Sequence, residues 1–267
     1  ALIEAQFMGG DCLNVGCVPS KCLITSARAV GQLQQYPGWG IEVDRPQIHF
    51  GQVMERLRRI RSQMSAVDSV QRFQGLGVDV FLGTGSFCSG DRVAVGEHRL
   101  RFKKAVIATG ARAAIPAIPG LDTVGYFTNE TIFSLTDCPP SLAVLGGGPI
   151  GCELAQAFQR LGSQVVLFHK HDRLLNRDDA DAAVIVADRL RQEGVQVLLG
   201  TEIEGIHGLG AERRIHYRPR SQSEQLSNPS SEPPDPLKGT IAVDAILVCV
   251  GRLPNVERLN LEAAGVA

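Results

Sequence analysis

The chain has 267 residues, 44% of them hydrophobic, and a formal net charge of -1. That length holds one large domain or two ordinary ones. A charge so near zero implies no nucleic-acid or membrane-surface partner, and no apolar run approaches the roughly 20 residues that a membrane span needs. Ala1-Leu2-Ile3-Glu4-Ala5 reads as the end of a buried strand, not a charged leader, and no Met precedes it, so the chain is expected to begin within a domain. The 7 cysteines are odd in number and mostly scattered, which argues against a secreted disulfide framework and for a reducing, cytoplasmic setting.

After that strand comes Gly9-Gly10-Asp11-Cys12-Leu13-Asn14-Val15-Gly16-Cys17-Val18-Pro19-Ser20-Lys21. The glycines argue against a helix interior there, and Pro19 suits the first turn of a helix beginning near it. Val53, Leu57, Ile60, Met64, Val67 and Val70 predict the apolar stripe of one long helix, whose basic face from Arg56 to Arg61 reads as solvated. Strands are expected at 78–82 and 92–101, and a buried strand ending in Gly at 105–110. The Pro-rich stretch 115–120 reads as the exit from a first domain. A second unit opens at 141–145, with a helix at 149–161, a strand at 164–168, a helix at 179–192, and strands at 195–199 and 241–251. Strands alternating with helices predict a parallel, doubly wound sheet. Residues 218–239 are rich in Ser, Pro, Glu and Gln and read as a low-complexity insertion.

Gly146, Gly148 and Gly151 fit G-x-G-x-x-G between a strand and a helix. The first glycine permits a tight turn, the second admits a pyrophosphate to the backbone, and the third lets helix and strand approach, with the helix N-terminus facing the anion. The strand-end position that usually carries an acid for an NAD ribose holds His169, followed by Lys170 and His171. These bases suit a 2′-phosphate, so NADPH is expected over NADH, although Asp172 leaves NAD open. Cys12-x-x-x-x-Cys17 is the second signal. Five residues rise about 7.5 Å in an ideal helix, beyond disulfide reach, but Gly16 and Pro19 allow the turn to deform. Cys17 near a helix N-terminus, with Lys21 one turn on, favours a thiolate. Cys22 keeps open a thiolate metal site, against which stand Lys21 and the lack of a nearby His; Cys88, Cys138, Cys152 and Cys249 read as small core residues.

The segment 9–21 resembles the redox-active signature of the class I pyridine nucleotide–disulfide oxidoreductases, which include mercuric reductase, dihydrolipoamide dehydrogenase and glutathione reductase. Its wording is most similar to the mercuric reductase and dihydrolipoamide dehydrogenase-like branch. Further marks keep the family's order: Ile3-Glu4, Ala108-Thr109-Gly110, Ile118-Pro119-Gly120, Gly146 to Glu153 and Gly251-Arg252-Leu253-Pro254-Asn255. The resemblance implies an α/β fold of two Rossmann-like dinucleotide-binding domains, for FAD and NAD(P), both incomplete. They are an FAD domain over 1–120, a nicotinamide domain over 121–254 containing the 218–239 insertion, and a return to the FAD domain over 255–267.

It also implies roles. Electrons would pass from NAD(P)H through FAD to a Cys12–Cys17 disulfide and on to a small disulfide, dithiol or Hg(II) substrate. Cys17 would face the flavin and Cys12 would exchange with substrate. Lys21 would reach the flavin and pair with Glu153 across the domain interface. Glu4 would hold the FAD ribose, Asp11 would lie along the flavin, and Gly85, Thr109 and Gly110 would admit FAD to the backbone. Gly146, Gly148, Ile150, Gly151, Lys170, His171 and Gly251 would hold the nicotinamide cofactor. Pro149 stands where many relatives carry an aromatic lid. The family's FAD pyrophosphate turn, its later Gly-Asp motif and its His–Glu pair on a dimerisation domain have no counterpart here. The chain alone is therefore expected not to turn over, and a homodimer is expected only of a longer enzyme. A non-catalytic nucleotide-binding module and a thiolate metal-binding protein are the alternatives.

Overall fold

The computed structural model describes residues 1–42, 44, 46–210, 212–220 and 238–266. Their contacts group them into two units. One comprises Ala1–Pro19, Arg56–Arg112 and Arg252–Ala267; the other comprises Ser20–Glu55 and Ala113–Gly251. Residues 20–55, on the N-terminal side of the boundary expected near Gly120, thus group with the second unit.

The first unit opens with β1 (Leu2–Glu4), then a five-residue helix α1 (Gly10–Asn14) and the start of α2 (Cys17–Leu33). The expectation of no helix before Pro19 is corrected by α1: Gly9, at φ 87°, takes the left-handed turn that starts it. The single long helix expected from 53 to 70 is two, α3 (Phe50–Ser65) and α4 (Val70–Gly75). Ser69 divides them, its hydroxyl accepting the Arg72 N–H at 3.2 Å as an N-cap. The buried face is Phe50, Met54 and Leu57, whereas Met64 and Val67 are exposed. Leu57 of the expected stripe is buried and Val53 and Ile60 are half-buried, so the stripe holds in the first turns and fails towards its C-terminal end.

β2 (Val80–Leu82) pairs parallel with β1. β3 (Gly85–Ser89), β4 (Arg92–Val95) and β5 (His98–Arg101) form an antiparallel sheet. The strand expected at 92–101 is therefore a hairpin, turned at Gly96 with φ 55°. The buried strand expected at 105–110 is also corrected. No ladder among the described residues includes it, and Val106 is 91% exposed. An apolar run is buried as a strand only where a neighbouring strand or helix covers it. β6 (Ala111–Ala113) carries the chain out of this unit.

The second unit begins its own elements with α5 (Leu121–Val124) and β7 (Ser141–Leu145). Then follow α6 (Pro149–Arg160), β8 (Gln164–Phe168), α7 (Ala180–Gln192) and β9 (Gln196–Leu198). The three strands pair in parallel, and β13 (Ala245–Val248) returns to the free side of β7, giving the order β13-β7-β8-β9. Between β9 and β13 the chain makes an antiparallel sheet of β10 (Thr201–Leu209), β11 (Glu212–Pro219) and β12 (Gly239–Val243). Hence the single strand expected at 241–251 is two strands in different sheets, with the Asp244 carboxylate accepting the Ser141 N–H at 3.0 Å where they part. The insertion expected at 218–239 lies between β11 and β12, and residues 221–237 of it are outside the described residues. β14 (Arg252–Pro254) carries the chain back to the first unit.

Both faces of the parallel sheet are apolar, as a sheet covered on both sides requires. Leu145, Val166, Phe168, Ile246 and Val248 pack with Ile206, Ile215 and Val243 of the antiparallel sheet. Leu142, Val144, Val165 and Leu167 are the alternate, equally buried positions. Phe158 of α6 is fully buried, and its ring lies 5.9 Å from that of Phe50. At the ends of α6 and α7, Arg160 donates to both oxygens of Glu193 at 2.7 Å, and Arg189 adds a third bond. Burial pushes the Glu193 carboxyl up, but Arg160 and Arg189 overcome this and hold it below the usual range.

Candidate active site

Gly16 folds the cysteine segment back on itself. A Cβ there would lie 2.8 Å from the Asp11 carbonyl oxygen and 3.3 Å from Cys12 Cα, so only glycine lets α1 run into α2 at this turn. The turn brings Cys12, within α1, to Cys17, the first residue of α2, and the two side chains hydrogen-bond. Hydrogen bonding to Cys17, and then burial, raises the Cys12 thiol above its ordinary value. Both side chains are exposed, and no disulfide joins them. One turn along α2, Lys21 donates to Glu153 Oε2 of α6 at 2.7 Å. Both residues belong to the second unit, not to opposite sides of a boundary.

The glycine loop lies in that unit, where the strand order reverses between β7 and β13. Ligands of open α/β sheets bind at such a crevice, beyond the carboxyl ends of the strands. Gly146 has φ 116°, and a Cβ on it would lie 2.4 Å from the Cys249 carbonyl oxygen at the end of β13. Gly151, in the first turn of α6, would place a Cβ 1.9 Å from the Gly146 oxygen. Gly148 is different: it is the extended N-cap of α6, makes no side-chain cap, and a Cβ there would meet nothing within 4 Å. Two glycines close the turn and the third leaves space before uncapped helix amides, an arrangement that suits a pyrophosphate. Pro149 takes the first helical position and Ile150 is 38% exposed. Gly251, at φ 140°, is also open, with nothing within 4 Å of a Cβ. At the end of β8, His169 is buried, Lys170 exposed and His171 half-buried, with the two imidazole centroids 5.2 Å apart.

The remaining expected residues are in the first unit. Glu4 ends β1, and its Oε1 accepts the Gln6 N–H at 2.8 Å. A Cβ on Gly85 would lie 3.4 Å from Ile3 Cγ2. Asp11 accepts the Ala111 N–H at 3.3 Å and pairs with Arg252, and its Oδ2 lies 3.0 Å from where a Cβ on Gly110 would be. Thr109 and Gly110 give their carbonyls to Asn255, from Nδ2 at 3.2 Å and from N–H at 3.1 Å. Arg252 and Asn255 were not singled out as site residues, because no spacing relates position 252 to position 11.

Cys22 is buried, and among the described residues no group of three or more His, Cys, Asp or Glu is placed to hold a metal ion. Burial pushes the Cys152 and Cys249 thiols up to about 12 and raises Cys138, as expected of thiols that pack. No helix among the described residues is long and apolar enough to cross a membrane.

Fold and site define an α/β protein with a glycine-lined crevice at a strand-order reversal in one unit and a pair of interacting cysteines in the other. The family of the pyridine nucleotide-disulphide oxidoreductases matches residues 1–267, and the chain belongs to it. It is 31% identical over 266 residues to a mercuric reductase of Staphylococcus aureus, covering 100% of this chain and 46% of the relative. It is 29% identical over 276 residues to a dihydrolipoyl dehydrogenase of Chlamydia muridarum, covering 100% of this chain and 54% of the relative. Among solved structures, the HOCl-induced flavoprotein disulfide reductase RclA of Escherichia coli, as its Cu(II) complex, superposes with a TM-score of 0.78 at 28% identity, over 100% of this chain and 54% of that one. The chain thus spans about half the length of the curated relatives it matches.

Proposed function

We propose that this chain carries the electron path of an FAD-dependent oxidoreductase, from a nicotinamide dinucleotide to the Cys12–Cys17 pair and on to a small substrate. The observation that carries the reading is the turn at Gly16, too tight for a Cβ, which brings Cys12 and Cys17 into interaction. A dithiol so placed needs only to lose its protons and two electrons to close a disulfide. When bound, FAD supplies the two-electron relay between nicotinamide and sulfur. The residues of the first unit fit it: a carboxylate, Glu4, at a strand end suits ribose hydroxyls, and Leu82, Val106 and Ile107 expose apolar surface that suits a flat ring. Gly110, at φ 68°, lets backbone approach.

In the second unit, Gly148 and the first-turn amides of α6 hold the pyrophosphate. Lys170 and His171 attract a 2′-phosphate, which favours NADPH, and Ile150 and Gly251 line the way to the nicotinamide. Lys21, neutralised in part by Glu153, adds fixed positive charge one turn from Cys17. Cys12 exchanges with substrate: once its proton is removed, its sulfur attacks a substrate disulfide, one thiol leaves, and Cys17 resolves the mixed disulfide and releases the second. The same pair suits Hg(II), to which thiolates bind, or a dithiol reacting in reverse. The protein works in the cytoplasm, as a homodimer in its full length.

A peptide-mass disulfide map of protein isolated without reductant, with free thiols blocked at lysis, tests the reading. The expected result is one Cys12–Cys17 bond, lost on mild reduction, with the other five cysteines free. Folded protein in which both thiols stay free under oxidant overturns the relay.

A further inference from the structure

His169 occupies the position of the ribose-binding acid, yet its ring is turned into the protein, 8% exposed. Its Nδ1 accepts the N–H of Gly147 at 3.0 Å. A ring nitrogen accepts only while it carries no proton, so this bond requires the neutral imidazole with its hydrogen on Nε2. The contact is close on the side of the loop, whereas Nε2 is buried with no hydrogen-bond partner among the described residues. A Cβ on Gly147 would lie 2.9 Å from His169 Cγ and 2.4 Å from Leu174 Cδ2. The Gly147 carbonyl is held as well, accepting the Leu175 N–H at 2.9 Å, and Leu175 takes φ 47° to reach it. The backbone of His169 is tied to the sheet, its N–H to the Leu198 carbonyl at 2.8 Å and its carbonyl to the Thr201 N–H at 3.1 Å. The main chain of His169 is thus fixed to its neighbours, and its imidazole bonds the middle of the glycine loop.

We propose that neutral His169 is the positioning residue of the nucleotide loop: it holds Gly147 so that Gly148 and the α6 amides face the pyrophosphate, and a proton on Nδ1 releases the loop. This rests on the nucleotide-binding reading above and deepens it. A carboxylate at this position would also accept from Gly147, but it would repel a 2′-phosphate; the neutral ring makes the same bond without the charge. The charged groups around the ring are Lys170 and His171 at its own strand end and Arg173 in the turn that follows. Leu198, Thr201, Leu174 and the Cys152 thiol, which bonds the Gly147 carbonyl, bring no charge from β9, β10, the turn and α6. Burial first, then His171 and Lys170, hold the imidazole below its ordinary 6.5, with Arg173 and Asn176 acting the other way. The latch is therefore closed at neutral pH and opens only on the acid side.

The test is calorimetric titration of the full chain with NAD+, which has no 2′-phosphate to titrate, from about pH 8 to pH 5. Wild-type affinity should fall by about tenfold towards the acid end, the worth of one lost hydrogen bond. His169→Asn presents an amide oxygen near the place of Nδ1 and does not titrate; it should bind within about threefold of wild type at neutral pH and lose the acid fall. His171→Asn should keep it. Nitrogen NMR should show the Nε2–H tautomer of His169 at neutral pH. A wild-type profile that stays flat through the pH at which nitrogen NMR shows His169 taking up its proton, an unchanged fall in His169→Asn, a fall abolished by His171→Asn alone, or an Nδ1–H tautomer overturns the latch and leaves the nucleotide site standing. Folded protein that binds neither NAD+ nor NADP+ at any pH overturns both.

Discussion

Alanine at three positions of one loop separates what holds the fold from what holds a nucleotide. In Gly151→Ala the new methyl would fall 1.9 Å from the Gly146 oxygen, so the start of α6 must retreat by about 1 Å from β7. Overpacking of that kind costs about 1–3 kcal/mol. At roughly 2–4 °C per kcal/mol for a chain of this size, the melting temperature falls by roughly 2–12 °C. Gly146→Ala adds an unfavourable φ of 116° to a 2.4 Å contact and falls at least as far. Gly148→Ala meets no atom within 4 Å and has φ -80°, so its melting temperature stays within about 2 °C of wild type. Its methyl nevertheless fills the space before the α6 amides, and NADP+ affinity drops by at least about tenfold, the cost of displacing one charge-assisted contact. Thermal melts and calorimetric titration of the three variants decide it. Wild-type NADP+ affinity in Gly148→Ala, or an unchanged melt in Gly151→Ala, would refute the division of labour.

Three further outcomes are expected. Glu193→Ala leaves Arg160, 13% exposed, without its carboxylate and should cost about 3 kcal/mol in urea unfolding. Because the Glu193 carboxyl is depressed in the folded state, its contribution is present above about pH 4.3 and is lost as pH falls through the folded value; the variant should show a shallower acid slope. Cys12→Ser should abolish NADPH-dependent disulfide reduction by the full-length enzyme while leaving NADP+ affinity within about twofold, measured by steady-state assay and titration, because the loop and the cysteines are built from separate segments. Leu175→Gly relieves a left-handed backbone that costs a bulky residue about 1 kcal/mol, so its unfolding midpoint should not fall, a result read directly from denaturant curves.

Much of the second unit was legible because each strand–helix step announces itself twice, once in period and once in punctuation. Ser141–Leu145 is an unbroken apolar run, and the glycines and Pro149 that follow can only be a turn and a helix start. Gly16 was legible for a similar reason, since two cysteines at that spacing meet only if the chain bends. The first unit was harder to read. The stripe from Val53 to Val70 buries Leu57 but exposes Met64 and Val67, because period does not say where a helix outruns the elements that cover it. Residues 105–110 have the composition of a buried strand, but composition does not say whether a neighbour is present. Arg252 on Asp11 joins positions 241 residues apart, and no local pattern reports such a pair. His169 was visible as a missing acid; that its ring faces the loop follows from the way β8 ends, which the sequence does not display.

The walls of the nucleotide crevice are main chain. Gly146 abuts the carbonyl of Cys249 just past β13, Gly151 abuts Gly146, and the first turn of α6 has no side-chain cap. Peptide groups are the same in every sequence, so this anchoring is insulated from drift at nearly all side chains that surround it. On the reading proposed above, preference among nucleotides falls to Lys170 and His171 at the end of β8, whose exchange leaves the anchoring peptides in place, whereas His169 beside them is bonded to one of those peptides. A change of electron donor then needs only one or two substitutions at a strand tip, provided that the residue before them still accepts from Gly147.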